Sequence, residues 1–343
     1  MKNLKIQILG SGCTKCKKLF SLTQQAVTET QIDATVNYTD DIAKMVATGA
    51  MSSPVITVNG KIIISGTLPS LEELKKLLLE NIVKNSTEKS IGFVGGGRIT
   101  KIMLSGWQRA GVMPKNIIVN DLNDDVLQNL KKQFPEIHTE KNNTKALQQD
   151  LVFIALHPPV IKEVIENAKT ILKPETILIS LAPKITIKQL NELLGNTYQI
   201  ARVIPNAPSI INKGYNPISL SSNFTEENKN TVLDLLKNLG KSPIVKEEKL
   251  EGYAISAAMG PTYFMFMFLK LKELNCSMKL NKTEVNESLK EMITGTTELL
   301  FTSEISDEEA LDLIPVKPLA EHEKNISDIF EQKIMSIYQK ITN

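Results

Sequence analysis

The sequence predicts an α/β chain in three parts: a small α/β module, a doubly wound parallel sheet, and an all-α C-terminal region. Three observations carry that prediction. Strand and helix periods alternate from Leu4 to Val83, a second and longer βαβα series opens at Ser90, and strand signals vanish after Lys249. A chain of 343 residues is long enough to give each part its own core. The expected limits are 1–84 for the first module, 85–89 for a linker, 90–248 for the parallel sheet and 249–343 for the helices. The linker is placed at Asn85-Ser86-Thr87-Glu88-Lys89 because that run is polar and without periodicity.

In the first module, Lys5-Ile6-Gln7-Ile8-Leu9 reads as a strand, and the run from Cys16 to Glu29 has helical spacing with Leu19, Leu22 and Val27 on one face. Ala34-Thr35-Val36-Asn37-Tyr38 is a second strand, followed by a short helix through Ile42, Met45 and Val46. Residues 54–64 read as two strands joined by an Asn59-Gly60 turn, and Leu71 to Val83 as a closing amphipathic helix. Cys13-Thr14-Lys15-Cys16 falls between the first strand and the first helix. A thiol at a helix N-terminus, beside Lys15 and Lys17, is expected to have a lowered pKa, so Cys13 is the attacking thiol and Cys16 the resolving one. Two other readings stand beside thiol exchange. The pair supplies two of the four ligands of a structural zinc shared between chains, or the module only docks a partner. Residues 1 to about 82 resemble the small form of the thioredoxin/glutaredoxin superfamily, and Ser53-Pro54 matches its cis-proline beside the cysteine pair. The resemblance implies a thiol or disulfide partner.

The second series opens on Ser90-Ile91-Gly92-Phe93-Val94-Gly95-Gly96-Gly97-Arg98-Ile99-Thr100, a buried strand entering a glycine turn and then a helix. Bare backbone at Gly95 and Gly97, with the unpaired amides of a helix start, suits the pyrophosphate of a dinucleotide. Ile117-Ile118-Val119-Asn120 is the next strand, and Asp121 at its end has the spacing of a ribose-binding acid, with a helix-start or turn acid as the other reading. No Arg follows among Leu122-Asn123-Asp124-Asp125, which favours NAD over NADP. Leu151-Val152-Phe153-Ile154-Ala155-Leu156, Thr176-Ile177-Leu178-Ile179-Ser180-Leu181 and Ile200-Ala201-Arg202-Val203-Ile204 continue the sheet. The pattern is a Rossmann arrangement.

Four segments occur in an order similar to that of the pyrroline-5-carboxylate reductases: residues 91–100, Ile154-Ala155-Leu156-His157-Pro158-Pro159-Val160, Arg202-Val203-Ile204-Pro205-Asn206-Ala207-Pro208, and Gly260-Pro261-Thr262-Tyr263. The resemblance covers 90 to about 300. It implies a Rossmann reductase with a helical dimerisation domain and hydride transfer from a nicotinamide to a cyclic imine, giving proline. It also implies cofactor contacts at Gly95, Gly96, Gly97, Arg98, Ile99, Thr100, Asp121, Asn143, Ala155, Leu156, His157, Pro158 and Ala182, with Asn206 near the substrate end. Substrate contacts fall at Met259, Gly260 and Pro261. The chain departs from the family in four places. His157 stands where the family has Lys, and Lys184 where it has Gly. The run Ser256-Ala257-Ala258-Met259-Gly260-Pro261 is one residue longer than the family's Ser-Gly-Ser-Gly-Pro turn. Residues 314–323 lack the family's threonines and glycine pair, and Lys317 and His322 are the candidate substrate ligands in their place.

A net charge of +2 gives no basic footprint for nucleic acid, and three cysteines suit a reducing, cytoplasmic compartment rather than a disulfide framework. The N-terminus enters a strand at once, without a signal peptide, and no apolar run is expected to span a membrane. No metal site is expected. Cys276 is expected to be a buried core thiol, His138 an exposed turn residue, and the cluster from Tyr263 to Phe268 either helix core or dimer interface. Two functions follow. One is an NAD(P)H-dependent reductase of a cyclic imine or related small carbonyl-derived substrate, in a homodimer or higher homo-oligomer, with a fused thiol module. The other is a redox-sensing or regulatory NAD(P)-binding protein without pyrroline-5-carboxylate turnover.

Overall fold

The computed structural model describes residues 4–30, 32, 34–50, 52–58, 60–86, 89–195 and 198–342. The chain divides into two compact units, Met1–Glu88 and Lys89–Asn343.

The first unit runs β1 (Leu4–Leu9), α1 (Thr14–Glu29), β2 (Ala34–Thr39), α2 (Ile42–Ala47), β3 (Val55–Val58), β4 (Lys61–Ser65) and α3 (Leu71–Ser86). Its sheet has the order β2-β1-β3-β4, with β1 parallel to β2 and the other pairs antiparallel. Alternation along β1 sends Ile6 and Ile8 into a core with Leu19 and Ala26 of α1 and Leu74 and Leu78 of α3, while Leu9 meets Met45 of α2. Asp41 starts α2 by accepting from the amides of Ala43 and Lys44. The β3–β4 hairpin forms as its turn residues require, Gly60 having φ +84°, while Asn59 lies outside the described residues. The closing helix is longer than its period suggests. Asn85 and Ser86, assigned to the linker by polarity, are its last residues, and Thr87 and Glu88 lie outside the described residues.

The second unit begins with β5 (Ile91–Val94), α4 (Arg98–Arg109), β6 (Ile117–Asn120), α5 (Asp124–Gln133), β7 (His138–Glu140), α6 (Thr144–Leu147), β8 (Leu151–Ile154) and α7 (Pro158–Ala168). It continues through β9 (Ile177–Ser180), α8 (Ile187–Leu194), β10 (Gln199–Val203), β11 (Gly214–Tyr215), β12 (Ile218–Leu220), α9 (Glu226–Leu236) and β13 (Gly240–Lys241). The sheet order β12-β10-β9-β8-β5-β6-β7 is parallel throughout except for the antiparallel edge strand β12. Helices cover both faces, so the strands are apolar on both sides. Phe93 stacks on Phe153 at 4.7 Å between ring centroids, and Trp107 of α4 closes over them and donates its indole N–H to the Leu235 carbonyl. His138 is exposed, as expected, but it opens the edge strand β7 rather than a turn, its backbone paired to Ile118.

Helices alone follow. α10 (Leu250–Tyr253) passes through a π-helical segment, Ala254–Met259, into α11 (Gly260–Cys276), and α12 (Lys282–Phe301), α13 (Asp307–Asp312) and α14 (Ala320–Thr342) complete the chain. Pro315 and Pro318 lie in the connection from α13 to α14, where a helix could not continue. The segment before Gly260 is helical, and Ala254–Met259 forms a widened, π-helical stretch within it.

One expectation about α11 is corrected. Cys276 is exposed, not a core thiol, and its helix leaves much of its apolar surface uncovered; Phe266 and Leu269 are each 65% exposed. The helical run Glu247–Cys276 is also long and apolar enough, by length and composition, to cross a membrane.

Candidate functional site

Two clusters of chemistry-bearing residues occur, one in each unit. In the first unit, β1 ends beside the N-terminus of α1, which sets Cys13 at the helix N-cap and Cys16 in its first turn. Cys13 is exposed and Cys16 buried, both are free, and their sulfurs lie 2.9 Å apart. The Ser53-Pro54 peptide is cis, and the Ser53 hydroxyl lies 3.4 Å from the Cys16 sulfur. The strand exit is tightly packed, since a Cβ on Gly10 would sit 2.5 Å from that sulfur.

The Cys13 pKa is lowered to about 7, first by its hydrogen bond with the Cys16 side chain and then by the Cys16 amide, with the Ser11 side chain and the Lys15 amide adding to it. The expected direction holds, but hydrogen bonds to the sulfur account for it rather than the ammonium groups of Lys15 and Lys17. Alkylation of Cys13 by iodoacetamide is therefore expected to reach half its limiting rate near pH 7. Cys16→Ala removes the largest cause and should move that midpoint up toward an ordinary thiol's value of about 8.5. A midpoint that stays put would rule out Cys16 as the cause.

In the second unit, the turn after β5 is built for close approach. Gly95 has φ +106°, and a Cβ there would lie 2.5 Å from the Ala155 carbonyl oxygen. Gly97, the N-cap of α4, has nothing within 4 Å of its Cβ direction, which leaves bare backbone facing open space. Thr100, at the position where a small residue is usual, is fully buried and donates its hydroxyl to the Gly95 carbonyl at 2.6 Å. It locks the turn from behind and has no face toward a ligand. Asp121 has the geometry of a turn acid, and its carboxylate also borders the cavity beside the turn. One carboxylate oxygen accepts from the Gly96 amide at 2.8 Å, and the other from the Asn123 amide at 2.9 Å. It thus holds the glycine loop against the end of β6.

A cavity of about 470 Å³ opens beside this turn, lined by Gly95, Asp121 and Asn143. Lys141, Asn142 and Leu122 also line it. Sequence reasoning missed Lys141 and Asn142 because only the parallel pairing of β7 with β6 carries the loop after β7 to that edge. A second cavity, of about 320 Å³, is lined by Gly97, Arg98 and Ile99 from the turn and by Ala155, Leu156 and His157 after β8. Leu181, Ala182 and Pro183 after β9 form one wall, and Ala254, Ala258 and Met259 of the π segment another. Leu156 borders both cavities, which lie in series along the carboxyl edge of the sheet. The bare backbone at Gly97 and the carboxylate at Asp121 fit the phosphates and ribose of a dinucleotide, and the apolar second cavity fits a flat ring. His157 is the exposed N-cap of α7, and Pro158 is that helix's first residue.

Some expected site residues do not face these cavities. Asn206 is buried with its side chain spent on the protein, donating to the Ala257 carbonyl and accepting from the Tyr215 amide, so it ties the exit of β10 to the π segment. Gly260 and Pro261 begin α11 beyond the cavity wall, leaving Met259 as the contact from that run. Lys317 and His322 are exposed on and just after the α13–α14 connection, and neither lines either cavity. Among the described residues no cluster of His, Cys, Asp or Glu could hold a metal.

Comparison with known proteins agrees with this division. The family described as a thioredoxin domain matches residues 4–79, and the family described as NADP oxidoreductase, coenzyme F420-dependent, matches residues 90–184. The pyrroline-5-carboxylate reductase of Haemophilus influenzae is 27% identical over 218 residues, 62% of this chain and 78% of that protein. The enzyme of the same name from Escherichia coli is 28% identical over 184 residues, 53% of this chain and 68% of that protein. Among solved structures, a pyrroline carboxylate reductase of Plasmodium falciparum with NADP bound has a TM-score of 0.61 at 21% identity, covering 74% of this chain and 95% of that one. A pyrroline-5-carboxylate reductase of Coxiella burnetii gives 0.55 at 25% identity, with coverage of 74% and 95%.

Proposed function

For a chain that is a divergent homologue of the pyrroline-5-carboxylate reductases, an NAD(P)-dependent oxidoreductase with a thioredoxin-like domain ahead of its Rossmann-like sheet, we propose hydride transfer to a cyclic imine or related small carbonyl-derived substrate. The single observation that carries this reading is the pair of cavities in series, Asp121 and Gly95 bordering one and the apolar walls of Ala182, Pro183, Ala258 and Met259 the other.

The bound nicotinamide would supply the hydride. A protonated imine is already an electrophile, so the protein's main task is positioning. Leu181, Ala182 and Pro183 keep water from one side of the second cavity and Ala254, Ala258 and Met259 from the other, while Arg98 and His157 are the polar side chains of its lining. Asp121 supports NADH as the preferred donor, since a carboxylate accepts from ribose hydroxyls and repels a 2′-phosphate.

The exposed apolar faces of the helical region, with Phe301 82% exposed, support a homodimer or higher homo-oligomer assembled through those helices. The thiol pair supports exchange with a partner disulfide. The Cys13 thiolate bonds to one partner sulfur and releases the other as a thiolate; Cys16 then bonds to Cys13 and releases the first, leaving the partner reduced and this pair oxidised. Such chemistry belongs in the reducing cytoplasm.

The test is NADH oxidation with pyrroline-5-carboxylate and related cyclic imines, followed through the absorbance of the reduced nicotinamide. Turnover with at least one imine is expected. Tight NADH binding with no turnover would replace this reading by the regulatory one, which one observation favours: Lys317 and His322 lie away from the cavity walls.

A further inference from the structure

Three charged side chains brought together behind the second cavity have no part in the chemistry above. Arg202 of β10 is buried, its side chain 1% exposed. Its guanidinium divides between two carboxylates, one Nη meeting Glu247 at 2.7 Å and the other meeting Glu251 at 2.6 Å. Each carboxylate then continues to a backbone amide, one in the loop after β9 and one at the start of α8. Glu247 accepts from the Ile187 amide at 2.7 Å and Glu251 from the Lys184 amide at a longer 3.4 Å. Lys184 holds φ +79° there, the left-handed region where the family resemblance has Gly.

The three elements joined this way supply three of the walls of the second cavity. Leu181, Ala182 and Pro183 immediately precede Lys184, Ile204 and Pro205 follow Arg202 closely, and Ala254, Ala258 and Met259 continue the helix that carries Glu251. We propose that Arg202, Glu247 and Glu251 form a positioning clamp that fixes the width of the nicotinamide slot, with Glu251 setting the π-segment wall against the loop after β9.

Stability alone is a poor account of the cluster. Buried ion pairs seldom outperform apolar side chains of the same size, and two carboxylates on one guanidinium leave a negative charge unbalanced. What the charges provide is direction, since each Nη–carboxylate bond fixes distance and angle as an apolar contact would not. The inference rests on the nicotinamide reading of this cavity, and its test separates the two.

Titrate NADH and ADP-ribose, which lacks the nicotinamide, into the parent protein, Glu251→Ala and Glu251→Gln. For Glu251→Ala we expect NADH affinity to fall by about tenfold, with ADP-ribose affinity unchanged within about twofold. With an imine substrate, kcat should fall more than KM rises. Glu251→Gln keeps an acceptor oxygen for both donors and should recover most of the loss. Equal losses for both ligands, or no loss for either, would overturn the clamp. Should Glu251→Ala be too unstable to titrate, Glu247→Ala, which removes the acceptor for Arg202 and Ile187, must show the same NADH-specific loss, and its absence would overturn the clamp. A parent protein that binds neither ligand would overturn the nucleotide reading and the clamp with it.

Discussion

Replacing Gly95 with alanine is expected to lower nucleotide affinity about a hundredfold and to cost about 3 kcal/mol of stability. The two effects share one cause. A side chain at φ +106° is strained, and its Cβ would stand 2.5 Å from the Ala155 oxygen and 2.9 Å from the Ala155 carbon. Those are backbone atoms of the strand exit, so no side chain can swing aside. The β5 turn and the loop after β8 must separate, and both border the cavities. NADH titration and thermal unfolding of Gly95→Ala measure the two losses. Parent-like affinity in a destabilised protein would show that this turn is not the cradle.

Arg202→Met is expected to cost about 3–5 kcal/mol, the usual penalty for removing one partner of a buried ion pair. Glu251, 13% exposed, and Glu247, 29% exposed, would then share a partly buried space with no counter-ion from β10. The penalty comes from stranded carboxylates rather than from a lost attraction. The triple replacement of Arg202, Glu247 and Glu251 by apolar residues should therefore recover most of the stability, as chemical denaturation would measure. A triple variant as unstable as Arg202→Met alone would show that packing around Arg202, and not charge, sets the cost.

The clamp also marks where the sequence stops being legible. β5, its glycine turn and Asp121 can be read in advance because their signals are local: an apolar run, glycines at a strand exit, and an acid at the next strand's end. The thiol pair and Pro54 are readable for the same reason. Arg202 is different. As a charged residue in a buried strand it signals a partner, but nothing local says that the partner stands at Glu247 or Glu251. Asn206 misleads in the opposite way, since a polar residue in a run resembling a family motif suggests ligand contact, whereas its side chain is consumed by Ala257 and Tyr215.

A short edge strand such as β7 escapes because three residues show no period. Cys276 and the Tyr263–Phe268 run show the limit of hydrophobicity as a guide to burial. Apolar residues on a helix point to a covered face, yet Phe264 to Leu269 stay exposed although Tyr263 and Phe264 meet Phe330.

The most direct test of the reductase account is isotopic. Incubate the protein with NADH carrying deuterium at the transferable ring position and pyrroline-5-carboxylate, then examine the product by mass spectrometry. The account predicts an amine product that has gained the deuterium, with transfer lost in Gly95→Ala. Nucleotide bound at the parent affinity, with no deuterium delivered to this or any other cyclic imine, would contradict it.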